Sequence, residues 1–195
     1  LRPQEFLDGS WLLIIFAGND TSRNSLSGTS RLMNEFPDQR AMVLEDPSLI
    51  PNMSEEALRM ISPVIHMRRT ATEDTELNGQ KIAKDEKLVL WYGAANRDPD
   101  IFPNPDTFDM HRKNVGAHVA FGHGVHKCLG SRIAKMQLRL AFERIFERFP
   151  NITWTGKQTI APNSLVHAIS SFQVNLYGRN GKRPTQVATG SKISA

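Results

Sequence analysis

The sequence predicts a mainly α fold with a small β region, on three observations. Apolar residues recur at helical spacing from about Glu5 to Phe36. They do so again from Leu129 to Phe149, where Ile133, Met136, Leu140 and Ile145 share one side. Between these stretches, Asn78-Gly79 separates two strand-like segments, and that dipeptide suits the positive φ values of a type I′ hairpin turn.

The first helix stops at Pro37, and its apolar pattern runs through Leu12, Ile15, Phe16, Leu26, Leu32 and Met33. Ala17-Gly18-Asn19-Asp20-Thr21 interrupts it with small and polar residues. A second helix covers Phe36 to Leu44. A third runs from about Ser54 to Ile61 and ends before Pro63, because the residue ahead of a proline avoids the α region. Arg69 to Leu77 and Gln80 to Ile82 form the hairpin arms, and Leu88 to Trp91 is a further strand. Pro99, Pro103, Pro105 and Gly116 make the stretch from Asn96 to Phe121 an ordered meander without regular structure. Short strands and turns are expected from Asn151 to Leu176. Residues 1–177 form the folded part, and 178–195, rich in glycine, lysine, serine and threonine, a flexible tail.

A chain of 195 residues is long enough for one domain with a sizeable core. With 39% hydrophobic and 23% charged residues, it has the balance of a globular protein, neither disordered nor membrane-spanning. A net charge of +4 is too weak to imply nucleic acid. The single cysteine excludes an internal disulfide and fits a reducing compartment, the cytoplasm. The longest apolar run, Trp11 to Ala17, falls far short of the ~20 residues of a membrane span. The opening LRPQEF leads straight into a helical pattern, so more chain is expected upstream.

The segment Phe121-Gly122-His123-Gly124-Val125-His126-Lys127-Cys128-Leu129-Gly130 carries the most chemistry. Two glycines before the cysteine and one after it let backbone approach a bulky flat ligand and bend sharply. The cysteine stands at the start of a long helix, where unpaired N–H groups and the positive dipole end favour a thiolate. Amide hydrogens aimed at such a sulfur would also tune a bound metal. A buried cysteine in a glycine-rich loop is the bland alternative, and for an arbitrary cysteine the commoner one.

Position by position, this loop resembles the cysteine loop of the cytochrome P450s. The resemblance covers Phe6 to about Leu176, roughly the C-terminal half of that fold, and is nearest to the soluble bacterial members. It implies that Cys128 is the metal ligand and that haem b (iron protoporphyrin IX) is the cofactor. It further implies that Phe121 packs on the sulfur, that His126 bonds a propionate, and that Gly122, Gly124 and Gly130 shape the loop.

Three companion motifs follow from the same resemblance. Ala17-Gly18-Asn19-Asp20-Thr21 matches the oxygen-binding groove. There Ala17 and Gly18 make room, Thr21 bonds within the helix or to oxygen and water, and Asp20 relays protons. Read alone, it is an ordinary polar notch. Glu56-x-x-Arg59 places opposite charges on one helix face at i, i+3. On a surface such a pair contributes under about 1 kcal/mol; in the family it is buried and joined by a meander arginine, here Arg112 or else Arg97. Those residues are structural. Arg69, with Arg68 the runner-up, matches a propionate partner.

The resemblance also marks residues 63–67 and 165–169 as substrate-lining, with Val64, Ile65 and Val166 on the wall beside Leu13, Phe16 and Ala17. Such a wall suits a lipophilic substrate, and His66 and His167 would hold a polar handle unless they are merely packed. From His111 to Phe142 the sequence carries Arg112, Lys113, Lys127, Arg132, Lys135 and Arg139 with no Asp or Glu. That collar suits an acidic ferredoxin or a flavodoxin-type reductase as electron donor, or else is a solvated face. The function implied is an O2-dependent haem-thiolate monooxygenase. The rival is a truncated, non-catalytic haem-binding remnant, and a peroxide-driven enzyme is a third option. Residues 1–195 alone are expected to fold poorly or bind haem weakly.

Overall fold

The computed structural model describes residues 3–177. The tail expected at 178–195 lies outside the described residues.

Among the described residues, five α-helices and six strands follow the expected order. Helix α1 is Pro3–Glu35, α2 Pro37–Glu45 and α3 Ile50–Ile61. Proline opens α1 and α2, where its missing N–H would have no helical partner in any case. Helix α3 begins four residues ahead of the expected Ser54, because Pro51 fits a first helical turn as well as it would end a last one. Its end is abrupt. Ser62 adopts φ 44°, and its N–H closes on the Leu58 carbonyl at 2.9 Å.

Strands β1 (His66–Thr70) and β4 (Lys87–Trp91) pair antiparallel, with Arg69 opposite Leu88. The short hairpin is β2 (Thr75–Leu77) with β3 (Gln80–Ile82), turning at Asn78 (φ 49°) and Gly79 (φ 80°). The single arm expected from Arg69 to Leu77 is therefore two strands in two sheets. Ala71 leaves the ladder to exchange backbone bonds with Asp85 and Glu86, and Asp74 accepts from the Lys84 N–H. After α4 (Tyr92–Ala95) and the meander comes α5 (Ser131–Arg148), then the hairpin β5 (Thr153–Ala161) and β6 (Ala168–Asn175).

The core lies where α1, α2, α3 and α5 meet: Leu32, Met33, Val43, Met53, Ala57, Leu58, Leu138 and Phe142, closed by Phe108 and Met110 of the meander. At Gly28 a Cβ would sit 2.7 Å from Ile61 Cδ1, so only glycine lets α1 approach α3 this closely. The inward face of α5 is Leu138, Phe142 and Phe146, whereas Ile133, Met136 and Leu140 are exposed. Of the four residues expected to share one side, Ile145 alone packs against the core. Helix α5 carries two apolar stripes, and periodicity cannot choose between them. Exposed apolar residues also cover the first half of α1, from Trp11 to Phe16, while its second half is buried. Helix α1 runs unbroken through the 17–21 notch.

Candidate functional site

The site is built on a buried ionic knot. Glu56 and Arg59 lie one turn apart on α3, and both side chains are 0% exposed. All five guanidinium donors of Arg59 have acceptors. Nε and Nη2 each donate at 2.8 Å to the two Glu56 oxygens. Nη1 donates at 2.8 Å to the carbonyls of Asn96 and Pro105, and Nη2 reaches that of Thr107 at 3.3 Å. Arg112 is the third member, with Nε donating to Glu56 Oε1 at 3.0 Å and its other nitrogens serving the carbonyls of Pro103, Asn104 and Thr107. Arg97 stands apart, pairing with Asp106 at 3.1 Å. The knot gives the meander what a helix or sheet would otherwise give it, partners for its carbonyls.

Asn96 carries that order toward the cysteine. Its carbonyl accepts from Arg59, its Nδ2 donates to Ser62 Oγ at 2.8 Å, and its Oδ1 accepts the Val119 N–H at 2.7 Å. Two residues on, Phe121 begins the cysteine loop. The Cys128 N–H donates to the Phe121 carbonyl at 2.8 Å and closes the neck. Within the loop Gly122 (φ 70°) and Gly124 (φ 71°) take conformations that favour glycine. A Cβ at Gly124 would meet nothing within 4 Å, so backbone there is open to an incoming surface. Cys128 is exposed, and Val125 and Leu129 beside it are each 97% exposed. Gly130 is the N-cap of α5, which places Cys128 three residues ahead of the first helical residue.

The remaining expected residues are placed as follows. Thr21 Oγ1 donates to the Ala17 carbonyl at 2.7 Å, the within-helix bond expected of it. Asp20 is tied to Arg23 on its own helix at 2.8 Å. Gly18 faces open space, since a Cβ there would meet nothing within 4 Å. Arg69 is exposed on β1 with Nη1 donating to the Arg68 carbonyl at 2.9 Å, and His126 is exposed. Val64 bridges Val166; Val64 and Ile65 are half-buried and Val166 is buried. His167 is committed to the chain, its Nδ1 bonding the Ile61 carbonyl at 2.8 Å and the Ser62 carbonyl at 3.1 Å.

The cationic collar is thinner than its sequence. Arg112 is buried in the knot, Lys135 bonds Glu55 at 2.6 Å, and Arg139 faces Glu143 at 3.6 Å. Lys113, Lys127 and Arg132 remain. Glu55 was not singled out from the sequence. Burial would push its carboxyl up, but hydrogen bonds from His118 and Lys135 outweigh it and hold the group below the usual carboxylate range.

The exposed sulfur on its glycine-bent loop and the buried Glu–Arg–Arg knot both fall within the stretch that the family comparison covers. The family model for cytochrome P450 matches residues 34–176. The chain belongs to the cytochrome P450 family. It is 42% identical over 168 residues to linalool 8-monooxygenase of Pseudomonas putida, covering 86% of this chain and 41% of that protein. With methyl-branched lipid omega-hydroxylase of Mycobacterium bovis it shares 37% over 166 residues, covering 84% and 39%. The solved structure of cytochrome P450-153 from Novosphingobium aromaticivorans superposes with a TM-score of 0.81 at 43% identity, covering 85% of this chain and 42% of that one. The chain thus spans about two fifths of the length of the curated relatives it matches.

Cytochrome P450s hold haem through a cysteine thiolate, and the residues present fit that group. Among the described residues no three His, Cys, Asp or Glu gather to hold a bare metal ion. A lone sulfur suits an iron that brings four ring nitrogens of its own. The open backbone at Gly124 and the bare side chains of Val125 and Leu129 offer the apolar bed that a flat macrocycle covers. No helix among the described residues is long and apolar enough to cross a membrane.

Proposed function

We propose that this chain carries the haem-binding and proton-handling part of a cytoplasmic monooxygenase, which inserts one oxygen atom of O2 into a lipophilic substrate. Haem b is bound through Cys128. The observation that carries the reading is the loop closed at Phe121 and Cys128, with glycine-only bends and an exposed sulfur. Sulfur-ligated haem supplies, when bound, the reductive activation of dioxygen.

The chain's own residues do the rest. Gly122, Gly124 and Gly130 would let backbone approach the ring, and Ala17 and Gly18 would leave room along α1 for dioxygen. His126 and Arg69, exposed and without a carboxylate partner among the described contacts, bind the propionates. Thr21 Oγ1 gives up its bond to the Ala17 carbonyl to hold a proton at the oxygen site. Asp20 passes protons inward when its exposed partner Arg23 swings into solvent. Val64, Ile65 and Val166 form the substrate wall, a lipophilic substrate being the class named for linalool 8-monooxygenase, methyl-branched lipid omega-hydroxylase and steroid C26-monooxygenase. Lys113, Lys127 and Arg132 meet an acidic ferredoxin-type or flavodoxin-type electron donor.

The test is the Soret band of the reduced, CO-bound haem in the full-length protein. We expect the position of a sulfur-ligated haem, and its loss in Cys128→Ser. The same band in that variant would sink the assignment.

A further inference from the structure

Outside the knot and the loop, one carboxylate has two partners that meet again on a third residue. Glu55 lies on α3, next to Glu56 in sequence but on another face. Its Oε2 accepts from His118 Nε2 at 2.9 Å, and its Oε1 accepts from Lys135 Nζ, on α5, at 2.6 Å. The tautomer of His118 follows from its other nitrogen. Nδ1 accepts the Ala120 N–H at 3.2 Å, so the ring proton resides on Nε2 and points at Glu55. Both partners then touch Phe121. The His118 ring centroid is 5.9 Å from that of Phe121, and Lys135 Nζ lies 5.4 Å from the Phe121 centroid, within cation–π range.

Phe121 is also the residue whose carbonyl takes the Cys128 N–H. A single carboxylate on the core helix therefore fixes, through two different side chains, the ring at the neck of the cysteine loop. We propose that Glu55 is the positioning residue for Phe121, and through it for the hydrogen-bond geometry and water exclusion at the Cys128 sulfur. The inference rests on the haem-thiolate reading above. Its elements come from three separate segments: α3, the end of the meander and the first turns of α5. Neither His118 nor Lys135 needs to approach the sulfur, since both act on the residue that closes the loop.

The geometry makes a specific demand. Glu55→Gln keeps the shape but cannot neutralise Lys135 while accepting from His118, so the Phe121 ring loses part of its hold. Lys135→Met removes the Glu55 ion pair and the Phe121 cation–π contact but leaves the His118 bond, at a half-exposed position where folding is not at stake. The readouts are the reduction potential of the haem-loaded full-length protein and the rate at which its reduced, CO-bound, sulfur-ligated band is lost, well below the melting temperature. Charge-assisted hydrogen bonds of this kind lead us to expect roughly tenfold faster loss in Glu55→Gln. Loss of a cation–π contact together with a half-exposed ion pair leads us to expect roughly threefold in Lys135→Met, with the potential shifted in the same direction in both.

The decisive comparison is made in Phe121→Leu. If Glu55 acts through the ring, adding Glu55→Gln to that variant changes the rate by less than about twofold, the ordinary limit of additivity. Effects that multiply in the double variant overturn the proposal, as does a Lys135→Met protein identical to the parent. Should Glu55→Gln fail to fold, Lys135→Met with and without Phe121→Leu decides the same question. A full-length parent without the sulfur-ligated band overturns the functional reading, and this inference with it. A parent with the band and unaltered variants overturns this inference alone.

Discussion

Arg59 and Cys128 stand in opposite surroundings. Arg59 is 0% exposed and has an acceptor for each of its five N–H donors, all of them within this chain. Cys128 is exposed, between two apolar side chains that cover nothing. A buried guanidinium must be satisfied by the protein itself, because an unpaired one costs more than the fold can bear. An exposed thiol has no such requirement, and the apolar neighbours beside it are uncovered as well. The contrast separates a closed ionic knot from an open loop: the donors of the first are all satisfied within the chain, and the side chains of the second are uncovered.

Four measurements bear on that contrast, in falling order of effect. Arg59→Leu leaves Glu56 with Arg112 as its one guanidinium partner and takes the donor from the Asn96 and Pro105 carbonyls in a dry interior, and should lower stability by about 3–5 kcal/mol. Chemical denaturation would report it, and a loss below about 1 kcal/mol would mean that the knot is not the scaffold. Gly28→Ala drives a methyl into Ile61, where Cβ would stand 2.7 Å from Cδ1; we expect a cost of about 1–3 kcal/mol from overpacking, read as a lower melting temperature.

Acid comes third. The folded Glu55 carboxyl sits below its ordinary value, so its contribution is present at neutral pH and is lost as the pH falls through and below the carboxylate range. Hydrogen exchange at the Ala120 and Cys128 amides should therefore rise in acid before the core opens, and simultaneous opening would contradict this order. Last, Val125→Ser should change stability by less than about 0.5 kcal/mol, as expected for a residue exposed to 97%. The same change should weaken haem retention in the full-length protein, measured by transfer to apomyoglobin. Unaltered retention would show that the open face is not the bed.

What could be read in the sequence was what lies close along it. The cysteine loop is ten consecutive residues, the Glu56–Arg59 pair spans one helical turn, and Asn78-Gly79 states its own turn type. What could not be read comes together from afar. Glu55 and His118 are 63 positions apart, Arg59 and Asn96 are 37, and His167 and Ile61 are 106. No periodicity records such meetings. His118 was one histidine among six, and Asn96 an ordinary turn residue until the fold gave both of its amide atoms partners. The buried side of α5 was not legible for a different reason. Leu138, Phe142 and Phe146 compete with an equally apolar stripe, and the winner is set by the shape of α1 and α3 opposite.

The short stretch after α3 has a mechanical consequence. Ile65 donates to the Leu165 carbonyl and His167 to that of Pro63, each at 2.9 Å, while the His167 ring grips the Ile61 carbonyl and Val64 bridges Val166. The wall proposed for the substrate is thus riveted to the end of the very helix that carries Glu56 and Arg59. It cannot swing as a free flap, and a tilt of that helix by a few degrees would reach the wall undamped. The segment after residue 61 and the helix that carries the knot therefore shift as one body.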